Sequence, residues 1–373
     1  MKKICIIVLA ICFGYLTLVI SLGQEDSRDI ILRRNFLVHR LSQAASPQNF
    51  FKIGTSQIAG EWTLGSLSMT AAALTNIAMQ QPQTAHESSL VIARMIESAL
   101  TDDVSHFDKI AWGEQPLNEE VLNKDEGHIG YYGHLNLMLG CYALLNNDGR
   151  FKDLHIKISN AIANRMQKYP HRHIETYPGE TYPPDNTVSA ASLKVADMTL
   201  GTKYAALLNE WIEQCKKLED PQTGLIVFGM DITSGKPRQT ARGSHAGWNS
   251  FYLPLVDEAY AALQYNRFKK FMLRRFIGFA GFKEYANGTL FWMDRDAGPV
   301  LFSIGVSATG FAVAGAQREG DRALKSDLLR SVELLGVSVT KGDERRYVAS
   351  PIVGDAIMLA MKTACPWKPI GSR

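Results

Sequence analysis

The sequence is notable first for what it lacks. It contains no HExxH helix, no Cys/His spacing suited to zinc, no GxSxG elbow, no phosphate-cradling P-loop and no GxGxxG turn from a strand into a helix. Each of those motifs exists because its chemistry needs given atoms at a given spacing. Metal, serine-hydrolase and nucleotide chemistry are therefore unsupported, and neither a metal nor an organic cofactor is expected. Charge of one sign is also lacking: the net charge of +3 is too weak to argue for nucleic acid, and no nucleic-acid partner is expected. Cysteine is scarce. Of five, Cys5 and Cys12 lie in an apolar run, leaving Cys141, Cys215 and Cys365 without any CxxC spacing, so a disulfide framework is not expected. Cys141 reads as a small buried hydrophobe on an apolar helix face. Disorder is excluded by composition, at 46% hydrophobic and 21% charged residues. No linker and no repeat period divides the chain.

What is present begins with an apolar run from Ile4 to Leu22, preceded by Lys2 and Lys3 and followed by Gln24-Glu25-Asp26. Its length is close to the roughly twenty residues a helix needs to cross a bilayer. The two lysines keep its start in the cytoplasm, so the remainder is expected outside. No small-x-small cleavage site is evident before Gln24, so residues 1–25 read as an uncleaved signal anchor; secretion after cleavage is the alternative. Residues 26–373 then form a single domain.

Helical periodicity dominates that domain. Apolar residues recur at i, i+3 and i+4 in about twelve segments, from "ILRRNFLVHRLSQA" at 31–44 to "DAIMLAMKTA" at 355–364. Strands are few: "GLIVFGMD" and "RRYVAS" look like short β-hairpin edges. Long connections are expected at 101–130, 170–185 and 280–300, each rich in Gly, Pro, His, acids and aromatics, and long ordered loops of that kind carry function. The pattern predicts an all-α domain in which six helical hairpins close into an (α/α)6 toroid. A superhelical stack of hairpins is the alternative.

Five stretches carry candidate chemistry. In "EGHIGYYGHLNLMLG", helical spacing puts Tyr131 and His134 on one stripe, with Tyr132 beside them and His128 just before the helix. His134 reads either as a proton relay or as a hydrogen-bonded core histidine. In "HRHIETYPGETYPPDN", two prolines hold Asp185 at a helix start. Asp185 or Asn186 reads as an N-cap, Asp185 equally as a fixed catalytic carboxylate, and Glu175, Tyr177, Glu180 and Tyr182 stand nearby. In "PRQTARGSHAGWNS", Arg242, Ser244 and His245 meet a helix N-terminus, where Arg242 reads as a surface arginine or as holding the carboxylate of a substrate or of a neighbour. In "FWMDRDAGP", Asp294 and Asp296 read as a carboxylate pair or as solvated loop acids, with Trp292 alongside. Finally, Glu61 and Trp62 precede a helix, where capping and packing are the plain reading. Trp62, Trp112, Tyr177, Tyr182 and Trp292 offer stacking surfaces for sugars.

From about Glu61 to Asp321 the chain resembles the linalool dehydratase/isomerase family. The resemblance rests on "GHLNLMLGCYALL" at 133–145, "PDN" at 184–186, "DPQTG" at 220–224 and the D-x-G at 296–298. It implies an (α/α)6 barrel with a central, cofactor-free acid–base site that adds or removes water. His134 corresponds to the family's pocket histidine and Asp185 to the aspartate of its PDN. Tyr182 stands where the family has a cysteine, and "TVSAASL" lacks its second pocket cysteine, so the monoterpene reaction itself is not carried over.

The expectation is a membrane-anchored extracytoplasmic enzyme of lyase, isomerase or hydrolase type. It would work by acid–base catalysis on a hydroxylated substrate such as a saccharide. His134, Asp185, Asp296 and Glu61 are the catalytic candidates. Tyr131, Tyr132, His128, Tyr182, Arg242, His245, Trp62 and Trp292 are the substrate-binding candidates. The alternative is a non-catalytic binding or scaffold protein of a cell envelope or export system.

Overall fold

The structure is a computed structural model that describes residues 2–22, 26–42, 56–146, 148–294 and 297–369; side chains 2–6, 8, 9, 56 and 294 are outside the description. Fifteen α-helices are present among the described residues: α1 (Lys2–Leu22), α2 (Asp29–Leu41), α3 (Ser56–Gln80), α4 (Ala85–Ala99), α5 (Asp102–Trp112), α6 (Glu119–Leu122), α7 (Ile129–Leu145), α8 (Lys152–Lys168), α9 (Pro183–Leu200), α10 (Ala205–Lys217), α11 (Gly243–Val256), α12 (Glu258–Met272), α13 (Val306–Arg318), α14 (Arg322–Gly336) and α15 (Ile352–Thr363).

Six of them close a ring. Helix α3 packs on α7, α7 on α9, α9 on α11, α11 on α13, α13 on α15, and α15 back on α3. Around it stand α2, α4, α8, α10, α12 and α14, each packed on an inner helix. The sequence dictates this division. Inner helix α7 is buried around its whole circumference, from Ile129 to Leu144. Outer helix α10 buries one stripe only, Leu207, Leu208, Trp211, Ile212 and Cys215. Small residues let the inner helices approach: a Cβ on Gly133 would lie 2.3 Å from the Ser189 hydroxyl, and one on Gly247 would lie 2.6 Å from the Phe311 Cβ. The expected all-helical toroid is thus the observed architecture.

The two rims differ. From inner to outer helix the chain needs only short turns, such as 81–84, 201–204 and the single residue Asp257, whose side chain caps α12 through the Tyr260 N–H. From outer to inner helix it runs through long segments: 113–128, 169–182, 218–242, 273–305 and 337–351. All six inner N-termini face that second rim.

Local departures from the sequence reading have physical causes. The expected loop at 101–130 contains α5 and α6. The segment "YNRFKKFMLRRF" leaves the helix at Met272, and Leu273–Phe276 (β1) pairs with Phe279–Phe282 (β2) around Gly278, whose positive φ of 76° suits glycine. A three-stranded sheet, Phe291–Asp294 (β3), Gly298–Leu301 (β4) and Ile304–Gly305 (β5), fills much of the expected 280–300 loop. "GLIVFGMD" makes isolated bridges rather than a strand, whereas "RRYVAS" supplies most of Glu344–Tyr347 (β7), paired with Ser338–Lys341 (β6).

The ends of the domain are joined by buried charge. Arg33 of α2, fully buried, donates to Asp29 Oδ1 at 2.9 Å, Glu333 Oε1 at 3.0 Å and Ser338 Oγ at 2.6 Å, and its guanidinium lies 3.8 Å over the Tyr347 ring. Lys362 of α15 reaches Asp29 Oδ2 at 2.7 Å. The expected anchor, Ile4 to Leu22, falls within α1; among the described residues no helix is long and apolar enough to cross a membrane.

Candidate active site at the mouth of the ring

The long segments converge above the inner N-termini, and there the polar groups gather. Helix α9 starts at Pro183-Pro184, residues whose fixed φ and missing N–H suit a first turn, with Tyr182 as the N-cap. This corrects the expectation that Asp185 or Asn186 is the cap. Asp185 sits inside the first turn, where the helix dipole favours a negative charge. Asn186 turns back instead, accepting from Ile174 N at 2.8 Å and donating to Ile174 O and Tyr182 O at 3.0 Å, and so pins the preceding loop.

That loop delivers two hydroxyls. Thr176 Oγ1 donates to Asp185 Oδ2 at 2.7 Å, and the Tyr177 hydroxyl donates to Glu61 Oε1. A tight turn closed by Glu180 N to Tyr177 O at 2.8 Å shapes it, and Trp112 Nε1 donates to Thr176 O at 3.3 Å from outside. Burial, then the charges of Glu61 and Asp185, push the Tyr177 phenol far above its ordinary range, so it stays a proton donor. Two carboxylates from different inner helices, α3 and α9, therefore bear on one tyrosine.

Beneath this group lies Trp248 of α11. Its Nε1 donates to Pro184 O at 3.1 Å, and its ring meets Tyr252 at 4.9 Å, Phe311 at 5.3 Å and His134 at 5.8 Å. It touches four of the six inner helices. His134, on the far side of that indole, pairs with Ser68 at 2.9 Å. Burial lowers its pKa to about 4, which keeps the imidazole neutral at physiological pH.

A third group closes the mouth beside α11. Glu284 caps that helix, accepting from Ser244 N at 3.0 Å and Ser244 Oγ at 2.7 Å, and Arg242 Nε donates to it at 2.8 Å. Arg242 thus holds a neighbour's carboxylate, one of the two uses expected for it, and also lies 4.5 Å over Phe228. Burial raises the Glu284 pKa, against the pull of Arg242.

The remaining candidates are dispersed. Tyr131 and Tyr132 turn outward and donate to main-chain carbonyls, Ala99 O at 2.8 Å and Pro116 O at 2.5 Å, so neither faces the mouth. His128 is 1% exposed, in a left-handed conformation (φ 64°), and bonded to Asp108 at 2.5 Å between Trp112 and Tyr132. This is a lock behind the 113–128 segment. His245 is buried beside Phe228, and burial with the Arg242 charge lowers its pKa to about 3. Tyr182 stacks on Phe228 at 5.2 Å and donates to Glu180. Trp62 is half-buried one residue beyond Glu61, and Trp292 is exposed on β3. Asp296 lies outside the described residues.

Sequence reasoning passed over Trp248, Thr176 and Glu284. The first two sit in the stretches "HAGWNS" and "ETYPGE", whose mix of aromatic, glycine and acid was a usable signal. Glu284, a single acid after "FAGFK", carried none.

Among solved structures, the chain is similar to an unsaturated glucuronyl hydrolase specific for heparin. The match covers 90% of this chain and 95% of that one, at 12% identity and a TM-score of 0.52. An unsaturated glucuronyl hydrolase from Streptococcus agalactiae also matches, over 93% and 97% of the two chains, at 11% identity and a TM-score of 0.48. The fold is an (α/α)6 toroid. At such identity the likeness shows the fold alone. No protein-family model matches the chain, and the linalool dehydratase/isomerase resemblance is not shown by these comparisons.

Proposed function

We propose that the mouth of the ring is the active site of a glycan-processing enzyme that uses acid–base catalysis without a cofactor. The carrying observation is the pair Asp185 and Glu61, set on separate inner helices and both acting on Tyr177. Two carboxylates flanking a bond are the usual equipment for glycosidic chemistry, one giving or taking the proton that the other does not. Asp185, oriented by Thr176, is the first base, and Glu61, oriented by Tyr177, is the second carboxyl. Trp248 floors the site, and neutral His134 positions that indole. Six helix N-termini aimed at one rim favour an anionic sugar, because each carries partial positive charge. The name of the structural neighbour specific for heparin points the same way. The N-terminal segment holds the enzyme at the outer face of a membrane.

The test is turnover of oligosaccharides ending in unsaturated uronic acids, read as newly released reducing ends. The wild-type chain is expected to act, and Asp185→Asn and Glu61→Gln to lose activity with unchanged melting temperatures. Equal activity in all three chains would remove the mouth from the chemistry.

A second reading, dehydration of a small alcohol, follows from the "GHLNLM" resemblance and from His134 lying at the ring's centre. Water loss from linalool by the purified chain would favour it over the glycan reading.

A further inference from the structure

We infer that the face bearing α1 and the two hairpin units beside the mouth is a docking surface for a lipid bilayer. Three observations carry this. First, α1 presents large apolar side chains on opposite sides. Ile7 and Ile11 point one way and Phe13, Leu16 and Ile20 the other, by the helical advance of 3.6 residues per turn, and all five are exposed. A protein groove covers one side of a helix; an apolar medium covers both.

Second, α1 is seated on the body against the β1–β2 turn and α14. The Tyr15 hydroxyl donates to Ile277 O, its ring lies 6.1 Å from that of Phe279, and Val19 lies against Gly278. From that seat the apolar surface continues. Phe276 and Ile277 are exposed at the β1–β2 turn. Strand β2 packs on β5, and Leu290, Trp292, Met293 and Phe302 are exposed on and beside β3 to β5, from 54% for Trp292 to 84% for Ile277. A contiguous patch of this kind marks an interaction site.

Third, the charge beside it has the sign that anionic headgroups attract. Arg274 and Arg275 are exposed on β1, Arg275 leaning on Asp327 at 3.5 Å. An apolar surface edged by basic residues meets acyl chains with the one and anionic headgroups with the other. Seated in this way, the ring opens next to the headgroups.

The inference rests on the membrane reading of the N-terminal segment, and the two fail separately. The experiment uses the full chain with vesicles of phosphatidylcholine and phosphatidylglycerol that carry a nitroxide on the acyl chain near the headgroup. Flotation reports attachment, and quenching of tryptophan emission reports depth. The expected result is co-flotation with a quenched component that disappears in Trp292→Phe and shrinks at least twofold in Ile277→Asp. Co-flotation with identical quenching in wild type and Trp292→Phe would overturn the docking face while leaving the tether. Failure to float at all would overturn the tether, and the docking face with it.

Discussion

Two clusters of carboxylates sit at opposite ends of the molecule's purpose, and their partners tell them apart. At the seam, where α2 meets α14 and α15, Asp29, Glu333 and Asp355 face the cations Arg33, Lys362 and Arg345. At the mouth, Asp185 and Glu61 receive hydroxyl hydrogens from Thr176 and Tyr177. The seam cluster joins residues about three hundred positions apart and closes the ring, a structural task for which strong mutual charge pairing is suited. The mouth cluster draws on the hydroxyls of Thr176 and Tyr177, donors that fix the orientation of a carboxylate, which suits proton transfer. A carboxylate is informative about function through the company it keeps.

The largest expected effect is on turnover. Asp185→Asn should lower the rate on a uronate-terminated oligosaccharide about 10²- to 10⁴-fold, the usual contribution of a positioned acid–base group, with little change in thermal stability. A stability loss as large as that of a core mutant would move Asp185 into the structural class with Asp29.

At the seam the expectation is reversed. Arg33→Ala leaves Asp29, Glu333 and Asp355 short of a buried cation and should cost about 3–5 kcal/mol in urea unfolding. Little loss would mean that Lys362 and Arg345 suffice to close the ring.

Acid should weaken the fold. Burial lowers the pKa values of His134, His155 and His173 to about 4 and that of His245 to about 3. Between those values and the ordinary 6.5 the unfolded chain binds more protons than the folded one. Their contribution is therefore complete above about pH 6.5 and is lost as the pH falls toward 4. Asp355, raised by burial to about 7, has the opposite slope, its stabilisation present below about pH 4 and lost as the pH rises toward 7. Asp108 and Glu284, also raised by burial, act in the same direction as Asp355. The four histidines outnumber these three carboxyls, so the unfolding free energy should fall by on the order of a few kcal/mol from pH 6.5 to 4.5. A flat or rising profile, measured by urea titration at each pH, would contradict the burial assigned to these imidazoles.

The smallest effect belongs to the rim opposite the mouth. Asp197 there accepts from Thr202 Oγ1 at 2.8 Å and Tyr204 N at 2.9 Å, tying the turn between α9 and α10. Asp197→Ala should cost about 1 kcal/mol of stability and leave turnover unchanged. A fall in turnover would bring the second rim into the function.

Much of this arrangement was legible in the sequence. Apolar spacing located most helices of the ring within a few residues, because burial of inner helices leaves long apolar runs and outer helices keep a stripe, but it missed the first turns of α3, where Glu61 lies. Asp185 stood out as an acid beside a helix start next to Pro, whereas Glu61 and Trp62, expected just before a helix, lie inside α3, which already begins at Ser56. The seam was illegible, since Arg33 looks like any helix-surface arginine until the fold brings Glu333 and Ser338 to it. Strand β1 was hidden because "LRRF" prolongs a helical pattern with no glycine or proline before Gly278. His128 and Tyr131 drew attention as part of a dense histidine–tyrosine cluster, yet helical rotation divides that cluster. His134 faces the centre while Tyr131 and Tyr132 face the outer layer.

The most direct test of the mouth as the site is hydrogen-exchange mapping of the chain with and without a saturating uronate-terminated oligosaccharide. Slower exchange should appear at residues 57–62, 174–186 and 243–249, with residues 148–151 and the turn at 201–204 unchanged. Protection confined to those opposite turns, or absent from 174–186, would contradict it.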